Sequence, residues 1–241
     1  MTRMVPLQSL VALPAAWLLL GTAPAAAQMY APGSGDALDP EALYEVCAFC
    51  HGPEGQGSER LDAPALAGME AWYVERQLHN FRDRTRGMHP EDLTGLQMSI
   101  VTGMIRNDAT IRALAGYIAA MEPGAGLETL NGEPATTGRP YVWHSDYAEF
   151  TSPEPGDAER GARAYITCGV CHGPNGEGNE ALAAPKLTDI QDWYQARQLR
   201  YFKDGIRGRS RGDIYGAQMA AMSMTLTDQT IADLLAYIDT L

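Results

Sequence analysis

A block of residues recurs in this chain at a fixed offset of 121 positions, and the repeat limits what the chain can fold into more than any other feature. Cys47, Cys50, His51, Gly52 and Pro53 recur as Cys168, Cys171, His172, Gly173 and Pro174. Pro64 and Leu66 recur as Pro185 and Leu187. Trp72, Tyr73, Arg76, Gln77, Leu78 and Phe81 recur as Trp193, Tyr194, Arg197, Gln198, Leu199 and Phe202. From Cys47 to Met98, 25 of 52 positions are identical in the second copy. Two unrelated domains would not produce this, so the chain is a tandem of one fold. Its 241 residues suit two small domains.

Each unit reads as helical. Val74, Leu78 and Phe81 fall on one face of a helix that follows Trp72. Ile111, Leu114, Ala115 and Ile118 have the i, i+3, i+4, i+7 spacing of an amphipathic helix, and Ile231, Leu234, Leu235 and Ile238 repeat it. Asn107, and Thr227 or Asp228, are the N-caps expected for these last helices. No run alternates as a strand would. The predicted fold class is therefore all-α, with domains at 36–121 and 156–241. The segment 122–155 between them is rich in Pro and Gly and reads as a linker, although Tyr141, Trp143, Tyr147 and Phe150 predict that it packs along both domains. Residues 1–27 read as a secretory signal peptide: Arg3, an apolar stretch to Leu20, then Ala25-Ala26-Ala27 at the cleavage position. The apolar stretch is short of the ~20 residues needed to span a bilayer, and Pro14 interrupts it. The mature chain is expected in the periplasm, without a membrane-inserted segment.

Both cysteine pairs have the form Cys-X-X-Cys-His, the c-type haem attachment motif. Two thiols three residues apart on a helical turn can form thioethers to the two vinyl groups of one haem. The adjacent His51 or His172 then lies under the iron as an axial ligand. A zinc site would not need His after both pairs, a thioredoxin-type pair would need a βαβ pattern, and local disulfides would leave the repeated His unexplained. Two covalently attached haem c groups are the expected cofactors. A metal-bound His donates its other ring N–H to a fixed acceptor, and the carbonyls near Pro64 and Pro185, each 13 residues after its His, are placed to accept. Trp72, Arg76, Trp193 and Arg197 are candidates to hold haem propionates. His79, His89 and His144 have no repeated His partner and read as surface residues.

Taken together, the motifs Cys-X-X-Cys-His-Gly-Pro-X-Gly-X-Gly, Ala-Pro-X-Leu, Trp-Tyr-X-X-Arg-Gln-Leu, Gln-Met and closing helices that carry Tyr-Ile resemble the dihaem cytochrome c4 family of tandem class I c-type cytochromes. The resemblance covers both domains. It implies two all-α cytochrome folds facing each other, and a Met as the second axial ligand of each iron, well downstream of the haem motif. Only Met98 and Met219, both in Gly-X-Gln-Met, correspond at the common offset. His/Met ligation fills both axial positions and favours ferrous iron, hence electron transfer over catalysis. The first unit carries one extra residue between Met98 and its final helix.

Lys plus Arg is 18 against 30 Asp plus Glu, a net charge of −12, which excludes nucleic acid as a partner. The charge is uneven. Residues 36–121 hold 13 acidic and 7 basic side chains, 122–155 hold 6 and 1, and 156–241 hold 11 and 9. The second domain gathers Arg197, Arg200, Lys203, Arg207, Arg209 and Arg211, which read as a docking surface that steers a redox partner. The resemblance implies a periplasmic shuttle between a quinol-oxidising cytochrome complex and a terminal oxidase or reductase. The alternatives are an electron-transfer subunit bound to one dehydrogenase or oxidase, and a dihaem redox enzyme such as a peroxidase or thiosulfate dehydrogenase.

Overall fold

The computed structural model describes residues 37–123 and 154–241. The expected signal peptide over residues 1–27, nearly all of the expected linker with its four aromatics, and His144 lie outside the described residues. The described residues are helical, apart from isolated bridges in each unit, Ser58 with Ala63 and Asn179 with Ala184. The first unit runs α1 (Pro40–His51), a short 3-10 turn (Glu59–Leu61), α2 (Ala71–Arg82), α3 (Leu93–Thr102) and α4 (Asp108–Ala119). The second repeats it as α5 (Ala158–His172), a 3-10 turn (Glu180–Leu182), α6 (Asp192–Asp204), α7 (Ile214–Ser223) and α8 (Asp228–Ile238).

The last helix is the pillar of each unit. Ile111, Leu114, Ala115 and Ile118 of α4 are all buried, and α1 and α2 pack on them through Leu43, Tyr44, Val74 and Leu78. In the second unit Leu234 and Ile238 of α8 pack with Tyr165 of α5. Asn107 caps α4, accepting from Ala109 N–H at 2.8 Å, and Thr227, rather than Asp228, caps α8, accepting from Thr230 N–H at 3.0 Å. Asp92 and Asp213 cap α3 and α7 through the N–H of Gly95 and Gly216, both at 2.9 Å. Since α3 and α7 stay in register, the extra residue of the first unit falls in the turn that follows α3.

The two units differ most at their first helix. Pro40 opens α1, whereas its counterpart Gly161 lies inside the longer α5. There α5 and α8 approach so closely that a Cβ on Gly161 would sit on the Asp233 carbonyl. Arg160 and Asp233 seal this crossing with two hydrogen bonds of 2.7 and 2.8 Å.

Candidate haem sites and the inter-domain seam

Each Cys-X-X-Cys-His motif closes the C-terminal end of a first helix. Gly52 and Gly173 end α1 and α5 at φ 78° and 83°, so the chain turns sharply after the histidine. His51 and His172 are buried, and each ring Nδ1 lies 2.7 Å from the carbonyl oxygen of Pro64 or Pro185. Each ring is thus anchored through Nδ1 to a backbone carbonyl, which leaves Nε2 as its other nitrogen. Burial lowers the pKa of both imidazoles, against the opposing pull of those carbonyls, and so keeps them in the neutral form a metal requires. Burial, with Cys50 beside it, pushes the Cys47 thiol up to about 11, and burial also raises Cys50 and Cys168. None of the four cysteines is in a disulfide. Tyr44 and Tyr165, not singled out from the sequence although they obey the same offset, brace the turns by donating to the Gly52 and Gly173 carbonyls at 2.9 Å.

The methionines separate by burial. Met98 and Met219 occupy the same turn of α3 and α7 and are half-buried. Met88, Met222 and Met224 are exposed, and Met104 packs against the first core. His89 is exposed as expected, whereas His79 is half-buried and faces Arg82, whose Nη2 lies 2.9 Å from its Nδ1.

The four residues proposed for propionates lie together at the seam between the domains, and they bring company. Arg76 and Arg197 each lie 4.8 Å from the ring of Trp72 or Trp193. Each also crosses the seam. Arg76 donates to the Ala183 carbonyl at 2.9 Å, and Arg197 pairs with the Asp62 carboxylate at 3.0 Å. Between them lie Arg86 and Arg207, a pair at the 121-residue offset that sequence reasoning missed. Arg86 donates to Gln77 at 2.8 Å in its own domain and to Gln198 at 3.0 Å in the other, while Arg207 donates to Gln198 at 2.6 Å and Gln77 at 3.0 Å. Arg86 also reaches the Tyr194 hydroxyl at 3.0 Å. Burial alone would raise the Tyr73 phenol, but the guanidinium groups of Arg207, Arg86 and Arg76 hold it below its ordinary range.

This corrects the charged surface read from the second domain. Arg197 and Arg207 are only 9% exposed and belong to the seam, so neither can steer a partner. Arg209 and Arg211 remain exposed. The fit to an acidic cofactor edge is visible in the same groups. Arg86 Nε and Arg207 Nε are buried without a well-aligned hydrogen bond among the described residues. Buried guanidinium donors in that state suit carboxylates such as haem propionates.

Comparison with known proteins decides the family. The cytochrome c family model matches residues 21–122 and 158–241. Cytochrome c4 of Azotobacter vinelandii is 30% identical over 210 residues, which cover 86% of this chain and 90% of the relative. The chain belongs to the cytochrome c4 family. It is a dihaem electron-transfer cytochrome rather than an enzyme, and the two Cys-X-X-Cys pairs fit two covalently attached haem c groups. The crystal structure of cytochrome c4 from Pseudomonas stutzeri has the same fold, with a TM-score of 0.57 at 24% identity, covering 86% of this chain and all of that one. A thiosulfate dehydrogenase electron acceptor of Thiomonas intermedia is 30% identical over 86% of this chain and 83% of its own length. Among the described residues no helix is long and apolar enough to cross a membrane.

Proposed function

We propose that this cytochrome is a periplasmic two-electron store that takes electrons from a quinol-oxidising cytochrome complex and passes them to a terminal oxidase or reductase. The observation that carries the reading is the duplication of the whole cradle, cysteine pair, carbonyl-anchored histidine and half-buried methionine, about one seam of buried arginines. The haems, when bound, supply the one-electron chemistry. The protein's residues hold the ligands in place and set the charge around them. His51 with Met98, and His172 with Met219, are the proposed axial pairs. Carbonyl-bonded Nδ1 atoms keep the two imidazoles oriented, and the thioethers favour the ferrous state. Trp72 with Arg76, and Trp193 with Arg197, are proposed to hold the propionates, and Arg86 and Arg207 join them from the middle of the seam. A short signal peptide over residues 1–27 accounts for export, and the domain limits remain 36–121 and 156–241.

A second reading has a specific observation behind it. The likeness to a thiosulfate dehydrogenase electron acceptor supports a dehydrogenase as the donor. Stopped-flow reduction of the holoprotein by each donor separates the two. Quinol-complex turnover that reduces both haems, with thiosulfate dehydrogenase slow, supports the shuttle; the reverse order supports the second reading. Docking through Arg209 and Arg211 would show as slower reduction or oxidation with a flatter salt dependence when both are replaced by Glu.

A further inference from the structure

The seam obeys the pseudo-twofold of the repeat at nearly every contact, and one place where it breaks that symmetry sits next to a proximal histidine. Gln191 stands in the second domain where Glu70 stands in the first. Each reaches into the opposite domain. Gln191 Oε1 accepts the N–H of Ala65 at 2.9 Å, and Glu70 Oε1 accepts the N–H of Lys186 at 2.9 Å. Those two amides directly follow Pro64 and Pro185, whose carbonyls hold His51 and His172. The same peptide unit therefore receives the histidine on its oxygen and the cross-domain side chain on its nitrogen.

Glycine makes room for both. Gly57 and Gly178 lie at φ 80° and 83°, and a Cβ there would stand 2.8 Å from Gln191 Nε2 or Glu70 Oε1. The chemistry of the arms differs. The Gln191 amide also donates, to the Gln56 carbonyl at 3.1 Å. A carboxylate has no such donor, and Glu70 Oε2 is buried with no hydrogen-bond partner among the described residues. The first histidine thus receives a neutral amide from across the seam, and the second a negative charge.

We propose that Glu70 sets the potential of the second domain's haem from the first domain. Its charge acts in two ways with the same sign. It stabilises the ferric over the ferrous iron directly. It also polarises the Pro185–Lys186 peptide more than a neutral amide oxygen would, leaving that carbonyl a stronger acceptor and His172 a more electron-rich ligand. Gln191 does neither for the first haem. Glu70 is a positioning residue, since it touches no ligand atom. The inference rests on His172 as an axial ligand, and goes beyond it.

The test uses the dihaem holoprotein and three variants. Potentials are followed haem by haem, through NMR of haem methyl signals assigned by contacts to Cys47 or Cys168 in stepwise oxidised samples. E70Q keeps the bond to Lys186 and loses the charge. It should move the electron's equilibrium between the haems about tenfold toward the second, which for a one-electron couple is ~59 mV. Q191E should lower the first haem instead, by a similar factor. E41Q removes the same charge from an exposed position of the first domain and should move neither haem by a comparable amount. An equal shift of both haems in E70Q, or none, overturns the inference while leaving His/Met ligation standing. A wild-type spectrum without imidazole on the second iron overturns both.

Discussion

At the scale of single residues, the decisive groups are those that do one job in both halves. Met98 and Met219 lie on the same helical turn of the two units, both half-buried. Replacing Met219 by Ala should abolish the methionine-to-iron band of one haem and lower that haem's potential, leaving the other untouched, as optical redox titration would show. Asp233 offers a test by acidity. Arg160 first, then the Asp157 N–H and the Gln229 amide, hold its carboxyl well below the usual carboxylate range. The folded pKa is depressed, so its stabilisation is complete above the unfolded value of ~3.9 and fades as pH falls through the folded one. Asp233→Asn should therefore cost ~1–3 kcal/mol near neutrality, and the gap from wild type should close in acid, both read from denaturant melts. These residues were legible to different degrees. Periodicity in the offset picked out the cysteines, histidines, methionines and prolines. Arg86 and Arg207 obey the same offset, yet an arginine on a charged stretch looks solvated until the other domain is present to bury it.

At the scale of elements, the motifs predict the helices well because each carries its own local instructions. Asn107 and Thr227 cap, the i, i+3, i+4, i+7 pattern faces the core, and glycines at φ near 80° turn the chain after each histidine. Less legible was the difference between α1 and α5. The extra first turn of α5 depends on a helix crossing tolerated only because Gly161 lacks a side chain. Gly161→Ala places a methyl against the Asp233 carbonyl and should destabilise the second domain by ~1–3 kcal/mol, measurable by calorimetry, even though Ala is the better helix former. The tertiary contact wins over propensity.

At the scale of the whole molecule, two domains of one ancestry meet through the elements that would otherwise face solvent. The ring Arg86–Gln77–Arg207–Gln198 spans the seam, with both guanidinium groups nearly fully buried. Buried charge is held at a cost unless it is paired, and haem carboxylates would complete that pairing. Arg86→Leu should therefore uncouple the halves, so that a single calorimetric transition of the holoprotein splits into two. No sequence pattern within one unit could have shown this, because each partner of the ring satisfies half of its bonds in the other domain. The most direct test of the whole arrangement combines intact mass with the oxidised-state spectrum of the matured protein and of M98A, M219A and the double variant. Two haem additions are expected in all four, with the methionine-to-iron band halved in each single variant and absent in the double. One haem addition, or a band that survives in the double variant, would contradict it.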